Sequence, residues 1–178
     1  MSEAAAITAN SPATSLPRPG AGAANADEPQ TYLAFDMAGQ IFAADVQYVR
    51  EVLDHQPITP LPNASPELLG VIDIRGESVA VIDLSGRLSL GPRESDREGR
   101  IIVFMRDREG GTPIGVIAEQ VRGVIELGPD EIEAAAERVT GWDDSTVRGI
   151  ARIGGALAMV LAMERLFGSE GCDPFDFS

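Results

Sequence analysis

The sequence predicts a mainly β protein in which two small β-barrels of about five strands each pack together, with short connecting and C-terminal helices. Three observations predict this fold class. Short apolar segments that alternate with polar residues, or that are rich in β-branched residues, are separated by turns containing Gly and Pro. The arrangement of strands occurs twice along the chain. Finally, a few short strands hide their unpaired edges most simply by closing into a barrel, and one such barrel alone is too small to be very stable.

The composition indicates one folded region between two tails. Of the 178 residues, 44% are hydrophobic, which is enough for a core, and the 19 Gly and 12 Pro favour a structure rich in turns. Residues 1–30 are rich in Ala, Ser, Pro and Gly, so we predict a disordered N-terminal tail there. Residues 169–178 form a predicted C-terminal tail. The domain between the tails spans 31–168, with two barrel halves divided near 85–99.

The first half begins with a hairpin that turns at Gly39. Asp45 follows this hairpin and is placed to cap a short helical turn. The predicted strands of this half are 31–36, 40–44, 49–53, 67–74 and 78–84, with a proline-rich loop at 57–66 and a tight turn at Arg75 and Gly76.

The second half follows a polar loop at 91–99. Asp130 to Glu133 opens an Ala-rich run and predicts a short helix, and a second short helix at 163–167 ends at Gly168. The predicted strands are 100–105, 113–118, 121–127, 150–153 and 157–161, with turns at Gly110–Gly111 and Gly154–Gly155.

An internal repeat relates the two halves. The segment from Gly70 to Gly76, followed by an apolar strand, matches the segment from Gly149 to Gly155, 79 residues later. Upstream, Val49-Arg50 matches Val121-Arg122, 72 residues later, so the second half has the longer connection. A repeat of this kind indicates one supersecondary unit used twice, and it does not reveal a function.

Charge and targeting features narrow the class of partner and the compartment. The formal net charge of −14 opposes binding to nucleic acids and to anionic membrane surfaces. The N-terminus has no basic segment followed by a long apolar one, and the longest apolar stretch, 156–163, is far shorter than the roughly 20 residues that span a bilayer. The single Cys172 cannot form an internal disulfide. We therefore expect a soluble protein of the cytoplasm.

The residues that could carry chemistry do not form a convincing catalytic or metal site. His55 is the only histidine and lies in a loop flanked by proline, and Cys172 lies in a tail. Asp73 and Asp83 could act as an acid–base pair, but a carboxylate at the end of an apolar strand usually caps a turn. No residues have metal-ligand spacing, and Gly110–Gly111 lacks the Lys-Ser/Thr of a phosphate loop. We therefore predict no catalytic residue, no metal and no cofactor.

Two charged residues lie in unusual surroundings. Glu51 interrupts an apolar strand pattern, and Arg75 lies at the predicted tip of a hairpin. A charge beside buried apolar groups usually needs a partner. From the pattern alone, however, a solvated turn arginine is the simpler interpretation, because most surface charges contribute little.

Four segments of the sequence resemble the CheW family of chemotaxis coupling proteins. The strongest is the glycine-led strand that ends in Ile74-Arg75-Gly76, followed by an apolar strand ending in Asp83-Leu84. Their order and spacing, together with the duplication, make the resemblance specific over about Thr31 to Phe167. It implies that the two barrels are SH3-like. The four segments are 49–52, 69–84, 121–127 and 159–167.

The resemblance also implies a non-enzymatic adaptor that couples the cytoplasmic tips of chemoreceptors to the regulatory domain of the histidine kinase CheA. In the family, the Glu near the second strand and the Arg of the Arg-Gly turn are coupled and matter for signalling, and they fall on Glu51 and Arg75. Asp73 stands where the family usually has Asn and could compete for the Arg75 guanidinium. The predicted protein-interaction residues are Val49, Glu51, Gly70, Ile74, Arg75, Gly76, Ile114 and Gly115.

Two other functions stay open at this point. A CheW-like adaptor of a non-flagellar pathway, such as twitching motility, would have the same sequence features. A small hydrolase or ligand-binding barrel would instead use His55, Asp73 or Asp83, and it requires those residues to share one concave site.

Overall fold

The computed structural model describes residues 28–91, 99–109, 111–134 and 146–168, which contain eleven strands and two short α-helices. Residues 1–27 of the predicted N-terminal tail, the predicted C-terminal tail and most of the polar loop lie outside these residues, and Gln30 at the end of the first tail already belongs to β1. The strands are β1 (Gln30–Met37), β2 (Gln40–Asp45), β3 (Val49–Leu53), β4 (Leu68–Ile74), β5 (Glu77–Ile82), β6 (Arg100–Met105), β7 (Pro113–Ala118), β8 (Gln120–Leu127), β9 (Ile132–Ala134), β10 (Val147–Ile153) and β11 (Ala156–Leu161), and the helices are α1 (Leu84–Arg87) and α2 (Met163–Gly168).

Two β-sheets make up the fold, which confirms the mainly β class with two small SH3-like barrels. One sheet has the strand order β3-β6-β7-β5-β4, and we call it the central barrel because its strands are contiguous in sequence. The other has the order β8-β1-β2-β11-β10-β9, and we call it the terminal barrel because it joins strands from both ends of the domain.

The predicted division of the chain near 85–99 does not separate the two barrels. The hairpin β6–β7 lies after that point, yet it pairs with β3 and β5 of the central barrel. The hairpin β1–β2 lies at the start of the chain, yet it pairs with β8 and β11 of the terminal barrel. Each half of the sequence therefore gives its first hairpin to the barrel of the other half, and the central barrel is inserted between β2 and β8 of the terminal barrel.

The sequence repeat is confirmed as a repeat of strand pairing. In both barrels the hairpin is antiparallel to one strand on one side (β3 or β8) and parallel to another on its other side (β5 or β11). The matching arginines, Arg50 and Arg122, are the residues skipped in the register at a bulge in each barrel.

The repeated glycines have a shared physical reason. A Cβ on Gly70 would collide with the carbonyl of Thr59, whose backbone forms a bridge to Val71. A Cβ on Gly149 would lie 2.5 Å from the carbonyl oxygen of Glu133 in β9. Both glycines thus allow another backbone segment to approach the strand closely.

The largest apolar cluster lies between the barrels and joins them to α2. Phe35 and Phe42 of the terminal barrel lie with ring centroids 5.9 Å apart, and Phe35 lies 6.4 Å from Phe104 of the central barrel. Phe104 in turn lies 5.8 Å from Phe167 of α2. All four rings are fully buried, so this column of aromatic side chains connects both barrels and the C-terminal helix. Each barrel also has a smaller interior cluster of its own.

Most local predictions are confirmed, and one helix is wrong. Asp45 caps a 3-10 turn over Val46–Tyr48, and Asp83 caps α1, because each carboxylate accepts the backbone N–H two residues later. The helix expected to open at Asp130 does not begin there, because Pro129–Glu131 make a 3-10 turn and β9 then pairs with β10; the rest of the Ala-rich run, from residue 135, lies outside the described residues. The sheet edge supplies hydrogen bonds that outweigh the local helical preference. Within the described residues, no helix is long and apolar enough to cross a membrane.

Candidate protein-interaction site

Arg75 and Glu51 meet at one end of the central barrel. Arg75 occupies the turn between β4 and β5, and its Nη2 donates to Oε2 of Glu51 on β3 over 3.4 Å. The side chain of Arg75 is 81% exposed, whereas that of Glu51 is 19% exposed. Because β3 and β4 are the two ends of the sheet order, this contact crosses the place where the barrel closes.

A second ion pair supports the same end of the barrel. Nη1 of Arg50 lies 2.7 Å from Oε2 of Glu77, and its Nε lies 3.6 Å from Oε1 of Glu51. Glu51 therefore lies between two guanidinium groups, one on each side. We call these four residues, Arg50, Glu51, Arg75 and Glu77, the charged tip.

Asp73 is engaged by the turn of the hairpin. Its Oδ1 accepts the backbone N–H of Gly76 at 3.1 Å, while the guanidinium of Arg75 is directed to Glu51. A carboxylate in this position can accept a turn N–H as an Asn side chain does. In this structure Asp73 therefore does not compete with Glu51 for the guanidinium of Arg75.

The second barrel provides an internal comparison for the charged tip. At the positions matching Glu51 and Arg75, the terminal barrel has Gly123 and Gly154. Gly154 has a φ of +57°, and Arg75 adopts nearly the same conformation with a φ of +51°. A residue with a Cβ is strained in this left-handed region. The barrel thus closes without the pair, and Arg75 is held in a conformation that suits glycine better.

The other predicted interaction residues divide into exposed, supporting and buried positions. Gly76 is exposed beside Arg75, and Val49 is half-buried against the core between the barrels. Ile74 and Gly70 are buried, so they can only support the tip from beneath. The remaining two assignments are wrong as surface positions: Ile114 is 0% exposed and Gly115 is also buried, because β7 lies between β6 and β5.

A cluster around Arg108 is the main feature that the sequence prediction missed. Arg108 donates through Nε to the hydroxyl of Tyr48 and through Nη2 to Asp45 and Glu164, each at 3.1 Å. Its guanidinium also lies 5.2 Å from the centre of the Tyr48 ring. The cluster joins the β6–β7 turn of the central barrel to the end of β2 and to α2. The isolated arginine in a polar turn gave no local signal of these distant partners.

Burial and charge shift the pKa values in this cluster in opposite directions. Burial raises the pKa of Asp45 above its ordinary value, although the N–H of Gln47 and the charge of Arg108 act against the rise. Burial also acts to raise the pKa of Glu164, but hydrogen bonds from its own backbone N–H and from Tyr48, with the charge of Arg108, outweigh it and lower that pKa. Burial likewise raises the pKa of the Tyr48 phenol.

Two further arginines of the central barrel hold the end of α2. Arg87 donates to the carbonyl of Leu166 at 2.8 Å, and Arg106 donates to the carbonyl of Phe167 at 3.1 Å. The last carbonyls of a helix have no partner within the helix and carry partial negative charge, so cations are favourable there. These arginines, with Arg108, fasten a helix that follows the terminal barrel onto the central one.

The residues required for a hydrolase are not brought together. Asp73 lies opposite Ser78 near the turn of the β4–β5 hairpin, whereas Asp83 follows the far end of β5. Asp83 is five residue steps along the chain from Ser78, which in an extended strand is a distance of about 17 Å. A cleft of about 410 Å³ is lined by Asp83 and Glu67 but not by Asp73 or His55. Among the described residues, no group of three or more His, Cys, Asp or Glu is placed to hold a metal ion.

Comparisons with known proteins agree with one another. Residues 31–171 match the model of the CheW-like domain. The chain is 34% identical to the chemotaxis protein CheW of Bacillus subtilis, covering 67% of this chain and 75% of that protein. It is 27% identical to the chemotaxis protein CheW of Rhizobium meliloti, covering 78% of this chain and 87% of the relative.

A relative with a different name and a solved structure extend these findings. Protein FrzA of Myxococcus xanthus is 30% identical, covering 67% of this chain and 77% of FrzA. The crystal structure of the scaffolding protein TtCheW from Thermoanaerobacter tengcongensis superposes with a TM-score of 0.69 at 29% identity, covering 81% of this chain and 91% of that one.

Proposed function

The chain belongs to the CheW family, and on that premise we propose that it is a non-enzymatic adaptor of the cytoplasm that couples chemoreceptor tips to the regulatory domain of a CheA-type histidine kinase. The observation that carries the proposal is the charged tip, where Arg75 is exposed and strained and is held by Glu51. The matching end of the terminal barrel lacks this pair, so the pair is not needed to form a barrel.

The chemistry of the tip suits reversible recognition of a protein. Arg75 makes one side-chain contact of 3.4 Å, which leaves most of its five N–H donors for a partner. The contact with Glu51 biases the guanidinium toward one position before binding, and such preorganisation lowers the entropic cost of an interface. An adaptor needs to hold two partners in a fixed arrangement, and it needs no reacting group.

Binding assays with purified components test the proposal. The kinase regulatory domain and a receptor-tip fragment from the same genome are titrated separately with wild type, Arg75→Ala and Glu51→Ala. We expect wild type to bind both and each variant to lose about tenfold or more in affinity for at least one, as expected for the centre of an interface. Arg122→Ala is the matched control, because Arg122 forms an exposed ion pair with Asp36 in the terminal barrel.

Two results would contradict the proposal. One is undetectable binding of wild type to every CheA-type kinase and receptor of its own cell. The other is equal loss of binding in Arg75→Ala and in Arg122→Ala, because the charged tip would then have no special role.

A non-flagellar chemosensory pathway is the second candidate, and the similarity to FrzA favours it. The same adaptor role applies, with different receptors and a different output. Deletion of the gene in its native host separates the two pathways: loss of swimming chemotaxis supports the first, and loss of surface motility with normal swimming supports the second.

A further inference from the structure

The outer face of β9, β10 and β11 in the terminal barrel carries an exposed apolar side chain. Leu157 is 57% exposed, and it lies directly opposite Arg152 in the β10–β11 register. Two residues along, half-buried Ile150 lies opposite Met159, which packs against the core between the barrels. We call this surface the Leu157 face, and it consists of Asp130, Glu131, Glu133, Ile150, Arg152 and Leu157, which line one cleft.

The internal repeat shows that a barrel does not need this apolar face. Ser78, a polar and exposed residue, occupies the position in the central barrel that matches Leu157. Val71 matches Ile150, and the backbone of Thr59 bridges to it. The fold therefore accepts a solvated residue where the terminal barrel exposes a leucine, so the exposure of Leu157 is not a requirement of the barrel.

The charges around Leu157 define the chemistry of what would bind there. Glu131 accepts the backbone N–H of Gly128 at 2.7 Å, so its carboxylate is already engaged. Asp130, Glu133 and Arg152 have no side-chain ion pair or hydrogen bond to any of the residues that the structure describes. Three carboxylates thus surround the cleft against one guanidinium, and two of them are free to receive cations.

The size of the cleft is suited to a side chain. Its volume is about 210 Å³, below the roughly 300 Å³ at which small-molecule pockets usually begin. Such a space accommodates an anchoring side chain from a protein segment, with the acidic rim meeting basic neighbours of that anchor.

We propose that the Leu157 face is a docking surface for a protein segment that presents one large apolar side chain next to Lys or Arg. The proposal does not depend on the charged tip, which lies on the other barrel. It gives the chain a second binding surface with different chemistry, apolar and acidic instead of an exposed arginine.

A photo-crosslinking experiment in the native host identifies the occupant. A benzophenone amino acid is introduced at Leu157 in the full chain, and at Ser78 in a matched control. We expect Leu157 to give a product whose crosslinked peptide, sequenced by mass spectrometry, contains an apolar residue beside Lys or Arg, and Ser78 not to give that product. No product, a crosslink within the same chain, a crosslink to a second copy, or an acidic peptide would each overturn the proposal.

Binding of the crosslinked peptide, resynthesised with a fluorophore, then decides whether the capture was specific. We expect Leu157→Asp and Glu133→Arg each to weaken its binding about tenfold, and Ser78→Asp to leave it unchanged. A peptide with Glu in place of its basic residue should regain affinity for Glu133→Arg. Equal binding to all variants would show an adventitious crosslink and would refute the proposal. Because failure here leaves Arg75-dependent binding intact, it is distinguishable from failure of the adaptor function.

Discussion

Replacing Arg75 separates the cost of its backbone conformation from the role of its guanidinium. Its φ of +51° lies in the left-handed region, which costs a residue with a Cβ roughly 1–2 kcal/mol relative to a relaxed conformation. Arg75→Ala keeps this cost and loses the contact with Glu51, whereas Arg75→Gly loses both. Glycine also has more freedom in the unfolded chain, which removes about half of the gain. We therefore expect the glycine variant to be more stable than the alanine variant by about 0.5–1 kcal/mol.

The ion pair itself contributes little to this balance. The contact of 3.4 Å involves a side chain that is 81% exposed, so its contribution to folding is at most about 0.5 kcal/mol. The free energy of unfolding of Arg75→Gly should therefore lie within about 1 kcal/mol of the wild-type value. Under the proposed function both variants lose partner binding. Substitutions of this one residue can therefore distinguish its effect on binding from its effect on stability.

Urea denaturation followed by far-ultraviolet circular dichroism measures these differences. Gly154→Ala is the matched control, because Gly154 holds the same turn position in the terminal barrel with a φ of +57°. We expect it to be destabilised by about 1 kcal/mol. If Arg75→Gly proves less stable than Arg75→Ala, or if Gly154→Ala has wild-type stability, the strain argument for the charged tip is refuted.

Three further predictions concern the fold. Gly70→Ala should destabilise by more than about 2 kcal/mol, because its Cβ would strike the Thr59 carbonyl at a positive φ, and Gly86→Ala, which has open space, should not destabilise; equal urea midpoints would contradict this. Phe104→Ala should lower the free energy of unfolding by about 3–5 kcal/mol, and both barrels should unfold in one transition. Hydrogen exchange measures the protection of each barrel, and a loss of protection confined to the central barrel would contradict the shared core. Asp45→Asn should change the pH dependence of stability. Because the pKa of Asp45 is raised in the folded state, the free energy of unfolding of the wild type should fall relative to that of the variant as pH rises above about 4. Urea titrations of both proteins at pH 3.5 and 6 measure this difference, and the opposite sign would refute the prediction.

The strands other than β9 were predictable because their signals are local. Alternation of apolar residues, turn glycines and caps are properties of a few neighbouring residues. They located the hairpins β1–β2, β4–β5, β6–β7 and β10–β11 and the caps at Asp45 and Asp83. The assignment of hairpins to barrels is a pairing between distant segments. Both possible assignments satisfy the same alternation, so the sequence repeat could not show that β1–β2 and β6–β7 are exchanged.

The candidate site was predictable only in part, for a related reason. Glu51 and Arg75 come together because β3 and the β4–β5 turn meet where the barrel closes, and the family pattern identified both. Ile114 and Gly115 were placed wrongly because a β7 flanked by strands on both sides is buried, and only the parallel pairing with β5 shows this. The contacts of Arg108 span up to 63 residues and leave no periodic trace in the sequence.

Comparison of the two barrels separates what the fold requires from what it leaves free. Both barrels keep a glycine where another backbone approaches and an arginine at the bulge, so these features belong to the fold. The barrels differ at two sets of equivalent positions. Glu51 and Arg75 of the central barrel correspond to Gly123 and Gly154 of the terminal barrel, and Ser78 corresponds to Leu157. Since a barrel closes with either set, these positions are available for binding.

The apolar core shared by the two barrels gives those two surfaces a fixed relation. The two barrels cannot move apart without opening the buried aromatic column that runs from Phe35 through Phe104 to Phe167. Arg87, Arg106 and Arg108 add polar contacts that hold α2 across the junction. A partner on the charged tip and a partner on the Leu157 face would therefore be held by one rigid body at a constant separation. For a protein that joins other proteins, that rigidity is the property through which the fold acts.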